Sequence, residues 1–156
     1  MSHTHAATLN GTVSGEVTNP HRSELAELRW MVDSLDGVRR YAWTLWRLPQ
    51  ETPIDLVDTR VYPTQYLQLA GTRERMAIEI RRDGSDGREP GHYVVGRETG
   101  GTGPADEAGE VIRWDKHSTV VRPSEVFTSD QALPVLVAYY QTDDVPPGHS
   151  LRAVHL

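Results

Sequence analysis

The side chains most able to do chemistry in this chain are seven histidines, a glycine-rich run and an Asp-Lys-His-Ser sequence. The histidines (His3, His5, His21, His92, His117, His149 and His155) are dispersed, and none has the i, i+4 spacing that brings two imidazoles to one metal ion. His3 and His5 lie two apart in a polar stretch, too few ligands for a stable site. The run GRETGGTGPADEAG (96–109) has the glycines of a phosphate loop. A phosphate cradle, however, needs a following helix whose N-terminus faces the anion, usually with a lysine. Here Glu110 and a strand pattern follow, and Glu98, Asp106 and Glu107 would repel phosphate, so the run reads as a hairpin connection.

Asp115, Lys116 and His117 could be drawn as an acid–base trio, with Ser118 as a nucleophile. Neighbours on a tight turn point apart into solvent, whereas general acid–base catalysis needs a pocket that tunes pKa values. No nucleophile-elbow glycines flank Ser118. These patterns predict no catalytic set, metal or cofactor, and a protein that is not an enzyme. Four tryptophans, Trp30, Trp43, Trp46 and Trp114, stand against the single Phe127. Most belong in a core or at its rim with the indole N–H bonded. Trp46 is opposite in phase to Trp43 on its strand, which predicts an exposed anchor for a partner.

What must position these residues is a chain of 156, long enough for one domain that folds without staples. No cysteine is present, which removes disulfides, thiol catalysis and thiolate metal sites. No apolar run reaches membrane-span length and no secretion signal opens the chain, so a cytoplasmic location without membrane contact is expected. Lys116 is the only lysine among 16 basic residues, an arginine bias that fits a GC-rich genome, as in actinobacteria. The net charge of −6 is unevenly placed: residues 1–82 carry ten acids and ten bases, residues 83–156 twelve acids and six bases. An acidic half argues against direct nucleic-acid binding and suits a basic protein partner.

Residues 1–22 show no apolar period and read as a disordered leader, followed by a single α+β domain over 23–156. Ser23 is placed to cap a first helix, with Leu25, Leu28, Val32 and Leu35 as its stripe and Gly37 as its stop. Residues 41–48 (YAWTLWRL), 65–70 (QYLQLA), 76–82 (MAIEIRR) and 92–97 (HYVVGR) read as strands, with MAIEIRR the clearest alternation. Residues 110–114 and 118–122 add two short strands, making 76–122 one antiparallel meander. Thr128 and Gln131 form a capping box for a last helix, in which Pro134 favours a start near Asp130. Its stripe is Ala132, Val135, Leu136 and Tyr139, and residues 151–156 form a closing strand. The expected fold is α+β, an antiparallel sheet of about five to six strands packed by an N-terminal and a C-terminal helix.

The strands MAIEIRR and HYVVGR, the strand VIRW, the turn V-x-R-P-S-E-V, the helix QALPVLVAYYQT and the closing VPPGHSLRAVHL resemble, in that order, the first-numbered immunity-protein family of bacterial polymorphic toxin systems. The matching positions are Pro123, Val126, Ala132, Tyr139, Tyr140 and Pro146, and the likeness covers about residues 65–156. The chain departs at its end, where the family pattern has Trp and this sequence has His155-Leu156. The resemblance implies a non-enzymatic inhibitor whose partner is a cognate toxin domain, often a nucleic-acid deaminase with a zinc pocket for an unstacked base. An acidic inhibitor of that kind would cover a basic channel, with Asp106, Glu107, Glu110, Asp143 and Asp144 standing where phosphates would sit. A non-inhibitory adaptor or chaperone of a secreted effector, and a small enzyme without a recognisable motif, remain as alternatives.

Overall fold

Alternation governs the central element of the computed structural model, which describes residues 4–17, 21–97 and 108–154. In β5 (Met76–Arg82) the side chains of Met76, Ile78 and Ile80 are fully buried on one side, while Ala77, Glu79 and Arg81 face the other. It pairs antiparallel with β4 (Tyr66–Gly71) and β6 (Gly91–Gly96), and these pair in turn with β3 (Ala42–Arg47) and β9 (Ser150–Val154). Two further strands, β1 (His5–Leu9) and β2 (Val13–Glu16), complete a seven-stranded sheet in the order β2-β1-β3-β4-β5-β6-β9. The α+β, antiparallel expectation therefore holds, with more strands than expected.

Two expectations are corrected here. The stretch read as a disordered leader contains β1 and β2, and β1 lies inside the sheet between β2 and β3. What fixes it is long-range. The Asn10 carboxamide oxygen accepts from the Tyr41 and Ala42 N–H groups, and the Trp46 indole donates to Thr8 Oγ1 at 3.0 Å. Small residues such as Ala6 and Ala7 show no period of their own, so the segment is legible only through its partners. The second correction concerns the meander: β7 (Glu110–Trp114) and β8 (His117–Val121) form a separate two-stranded ribbon and do not extend the sheet.

Both helices cover one face. Ser23 caps α1 (Glu24–Asp33) by accepting from the Ala26 N–H. The buried stripe is Leu28, Met31, Val32 and Leu35, whereas Leu25 is exposed. The helix ends at Ser34, and Gly37 (φ 81°) serves the turn beyond it, where Asp36 accepts from three backbone N–H groups. Thr128 and Gln131 cap α2 (Ser129–Thr142) reciprocally, with Pro134 in its second turn. Ala132, Val135, Leu136 and Tyr139 pack with Leu45, Leu67, Leu69, Ile78, Ile80 and Val95 of the sheet into the main core.

The opposite face is covered in two separate places. The β7–β8 ribbon sets Ile112 and Val121 on Ala77 and Val94. It approaches closely because Ala42, Ala70 and Ala77 line up beneath it, and because Gly71 (φ 130°) has no Cβ to run into the Arg75 carbonyl and Ile112. At the far end the 48–62 segment sets Ile54, Val57 and Tyr62 over Ala6 and Trp46.

Candidate functional site

Between those two covers the sheet presents a polar floor. The strand registers align Ser14, Thr8, Thr44, Gln68 and Glu79 in one cross-strand row, continuing through Val94 to Arg152. The row therefore crosses all seven strands on the face away from the helices. At one end Thr8 Oγ1 and Ser14 Oγ are 2.8 Å apart, and at the other Arg152 forms a two-pronged pair with the buried Glu125 at 2.8 Å for each contact. Gln68 and Glu79, in the middle, are half-buried. Thr8 and Thr44 are buried, so the part of the row that water reaches is Gln68, Glu79 and Arg152.

The adjoining row carries Tyr66, Arg81 and His92, paired directly across β4, β5 and β6, and then Val154. These residues border an open hollow of about 760 Å³ that also includes Thr64, Pro63 and Gly91. The His92 ring is buried, edge-on to Tyr66, and its Nε2 lies 2.9 Å from Glu79 Oε2. Burial raises the Tyr66 phenol above its ordinary range, while the neighbouring Arg81 opposes that shift, so the phenol stays neutral. Arg81 is exposed. A second hollow of about 460 Å³, bordered by Thr8, Ser14, Ile54 and Tyr62, lies on the other side of the 48–62 segment.

A carboxylate next to an imidazole invites an acid–base reading of Glu79 and His92. Access decides against it: Nε2 is occupied by Glu79 and Nδ1 is sealed from solvent, so neither nitrogen can exchange a proton with a bound molecule. The pair holds the His92 ring against Tyr66. What the surface offers to an incoming group is the Arg81 guanidinium, the Gln68 carboxamide and the rims of the two covers. Those rims are apolar: Leu56 and Val61 on the 48–62 segment, and the paired Val111 and Val120 on the ribbon, are exposed.

The residues singled out from the sequence fall elsewhere. Trp46 is 1% exposed, because its side of the sheet is also covered; its opposite phase to Trp43 meant a second interior, not solvent. Glu110 pairs with Arg75 at 3.1 Å, next to the start of β5. Asp144 pairs with Arg82 at 2.6 Å and with Arg88 at 3.4 Å, at the end of β5. Asp143, in left-handed conformation at the end of α2, pairs with Arg47 at 2.8 Å and faces the buried His5 at 3.5 Å. These acids thus lie toward opposite ends of a seven-residue strand, roughly 20 Å apart along it, with their charges compensated. Asp106 and Glu107 lie outside the described residues, as does His3. Asp115, Lys116 and His117 sit at the exposed ribbon turn, with the His117 ring against Trp114.

Sequence reasoning missed Gln68, Glu79, Tyr66, Arg81 and His92 as a group. Their signal was present as the polar phase of β4 to β6, but it becomes a site only once the registers align those phases. No protein-family model, curated protein or solved structure matches this chain. Among the described residues no helix is long and apolar enough to cross a membrane, and no three His, Asp or Glu side chains converge as a metal site.

Proposed function

We propose that this protein is an immunity protein that binds and neutralises a cognate polymorphic toxin, a nucleic-acid deaminase being the favoured target, and that it does so with the helix-free face of its sheet. The observation that carries this reading is the construction of that face. A rigid polar floor lies between two covers whose outward residues, Leu56, Val61, Val111 and Val120, are exposed and apolar. Apolar anchors around a preorganised polar platform suit protein recognition, in which a few contacts carry most of the energy and ordering costs must stay low.

One further feature supports an inhibitor, and another places its contact. The element order that carries the resemblance is present: a strand ending in Trp114, the turn at Pro123–Glu125, α2 with its reciprocal cap, and a final strand at the sheet edge. Of the carboxylates named earlier as phosphate mimics, the three among the described residues, Glu110, Asp143 and Asp144, are matched by arginines. The face, rather than those acids, is therefore the proposed contact.

The test is co-expression with each toxin domain encoded beside this gene, in a host that the toxin kills. The expected result is restored growth, together with stoichiometric loss of toxin activity when the two purified proteins are mixed. A toxin equally active in a saturating excess of the protein would overturn the reading, as would a gene with no toxin domain beside it.

A further inference from the structure

Two arginines bordering the helix-free face are already matched to carboxylates. Arg152 holds Glu125 and Arg75 holds Glu110, whereas Arg82, in phase with Ile78 and Ile80, shares Asp144 with Arg88 at the end of α2 on the helix side. Arg81 forms no ion pair with any carboxylate among the described residues, although it lies at the centre of the Tyr66–Arg81–His92 row and is exposed to the hollow. The nearest acid on its own face, Glu79, is turned to the His92 imidazole at 2.9 Å. Asp83, on the hollow's margin, is committed to Thr64 at 2.7 Å and to Ser85 at 2.6 Å. The Arg81 guanidinium thus has no carboxylate partner among the described residues.

We propose that the Tyr66–Arg81 hollow is a socket for one acidic side chain, an Asp or Glu, on the toxin domain, and that this pairing sets which toxin the protein accepts; this rests on the immunity reading above. Guanidinium is the fitting group, because its planar fork can take both oxygens of a carboxylate. The flanking residues preorganise it. Tyr66 presents its hydroxyl to Arg81 from the opposed strand, and His92, fixed by Glu79, closes the other side. A neutral phenol beside the guanidinium can donate to the same carboxylate. The hollow is concave, so the occupant must protrude.

The experiment uses the full chain and the purified toxin domain. Arg81→Gln is expected to weaken binding roughly 30-fold or more, mainly through faster dissociation, with an unchanged melting temperature. Arg81→Lys keeps the charge but not the fork and is expected to fall between. Arg81→Glu is then screened against toxin variants in which each surface Asp or Glu becomes Arg. Recovery of binding by one such variant identifies the acid. If wild type binds and inhibits while Arg81→Gln binds equally well, the socket is wrong and the immunity reading stands. If Arg81→Gln weakens binding but no toxin variant rescues Arg81→Glu, a carboxylate occupant is overturned. If wild type itself does not bind, the reading beneath the socket fails.

Discussion

The two faces of the sheet use the same strands to opposite ends. On the helix-covered face β1, β3, β4, β5, β6 and β9 each contribute an apolar residue: Ala7, Leu45, Leu67, Ile78, Val95 and Leu151 pack under α1 and α2. On the other face the same strands contribute Thr8, Thr44, Gln68, Glu79 and Arg152, and the apolar contacts are divided between two small clusters. One face carries the stability of the domain, and the other is stable enough to remain partly uncovered. In the proposed reading, the polar row marks the face that meets the toxin.

Adjacent residues of β4 give the sharpest way to break that contrast. Leu69→Ala opens a cavity in the main core and is expected to cost about 2–5 kcal/mol, lowering the melting temperature by roughly 5–15 °C. Gln68→Leu, one residue earlier on the other face, should change stability by less than about 1 kcal/mol. Thermal unfolding of both variants checks the pair; similar losses would mean that the faces do not differ as described.

A smaller effect comes from His5, which faces the helices and stacks on Tyr140 with ring centroids 4.5 Å apart. Burial first, and then the charge of Arg47, holds its pKa below the ordinary 6.5, against the opposing pull of Asp143. The folded state therefore binds fewer protons here than the unfolded chain. The stabilisation is complete above about pH 6.5 and is lost as pH falls through the lower, folded value. Wild type should lose more melting temperature between about pH 7 and about pH 5 than His5→Gln does. Parallel curves would show that His5 does not couple β1 to the C-terminal end of α2.

The parts of this fold that could be read in advance are those whose cause is local. The alternation of MAIEIRR, the Ser23 cap and the Thr128–Gln131 box each act within a few residues, and each holds. The parts that could not be read have causes elsewhere in the chain. β1 is ordered by Asn10 reaching Tyr41 and by Trp46 reaching Thr8, contacts spanning more than 30 residues. Trp46 is hidden because the 48–62 segment folds back over it. The phase of α1 shows the same limit. Leu25 fits the heptad-like spacing but lies off the contact with α2, while Met31, outside the predicted stripe, is 1% exposed. Asp143 and Asp144 read as free acids because the chain does not reveal that Arg47 and Arg82 end beside them. The candidate site belongs to this second kind, since its polar residues are ordinary on each strand and become a row only through the registers.

The central claim is that the helix-free face, with its apolar rims, is the surface that meets the toxin. The most direct measurement is the affinity of the toxin domain for two double variants placed on opposite sides of the sheet. One is Leu56→Asp with Val120→Asp on the two rims, and the other is Leu25→Asp with Val13→Asp on the helix side, all four residues being exposed. The rim variant is expected to bind roughly 100-fold more weakly with an unchanged melting temperature, while the helix-side variant stays within about threefold of wild type. Full affinity in the rim variant, or its loss only in the helix-side variant, would contradict the claim.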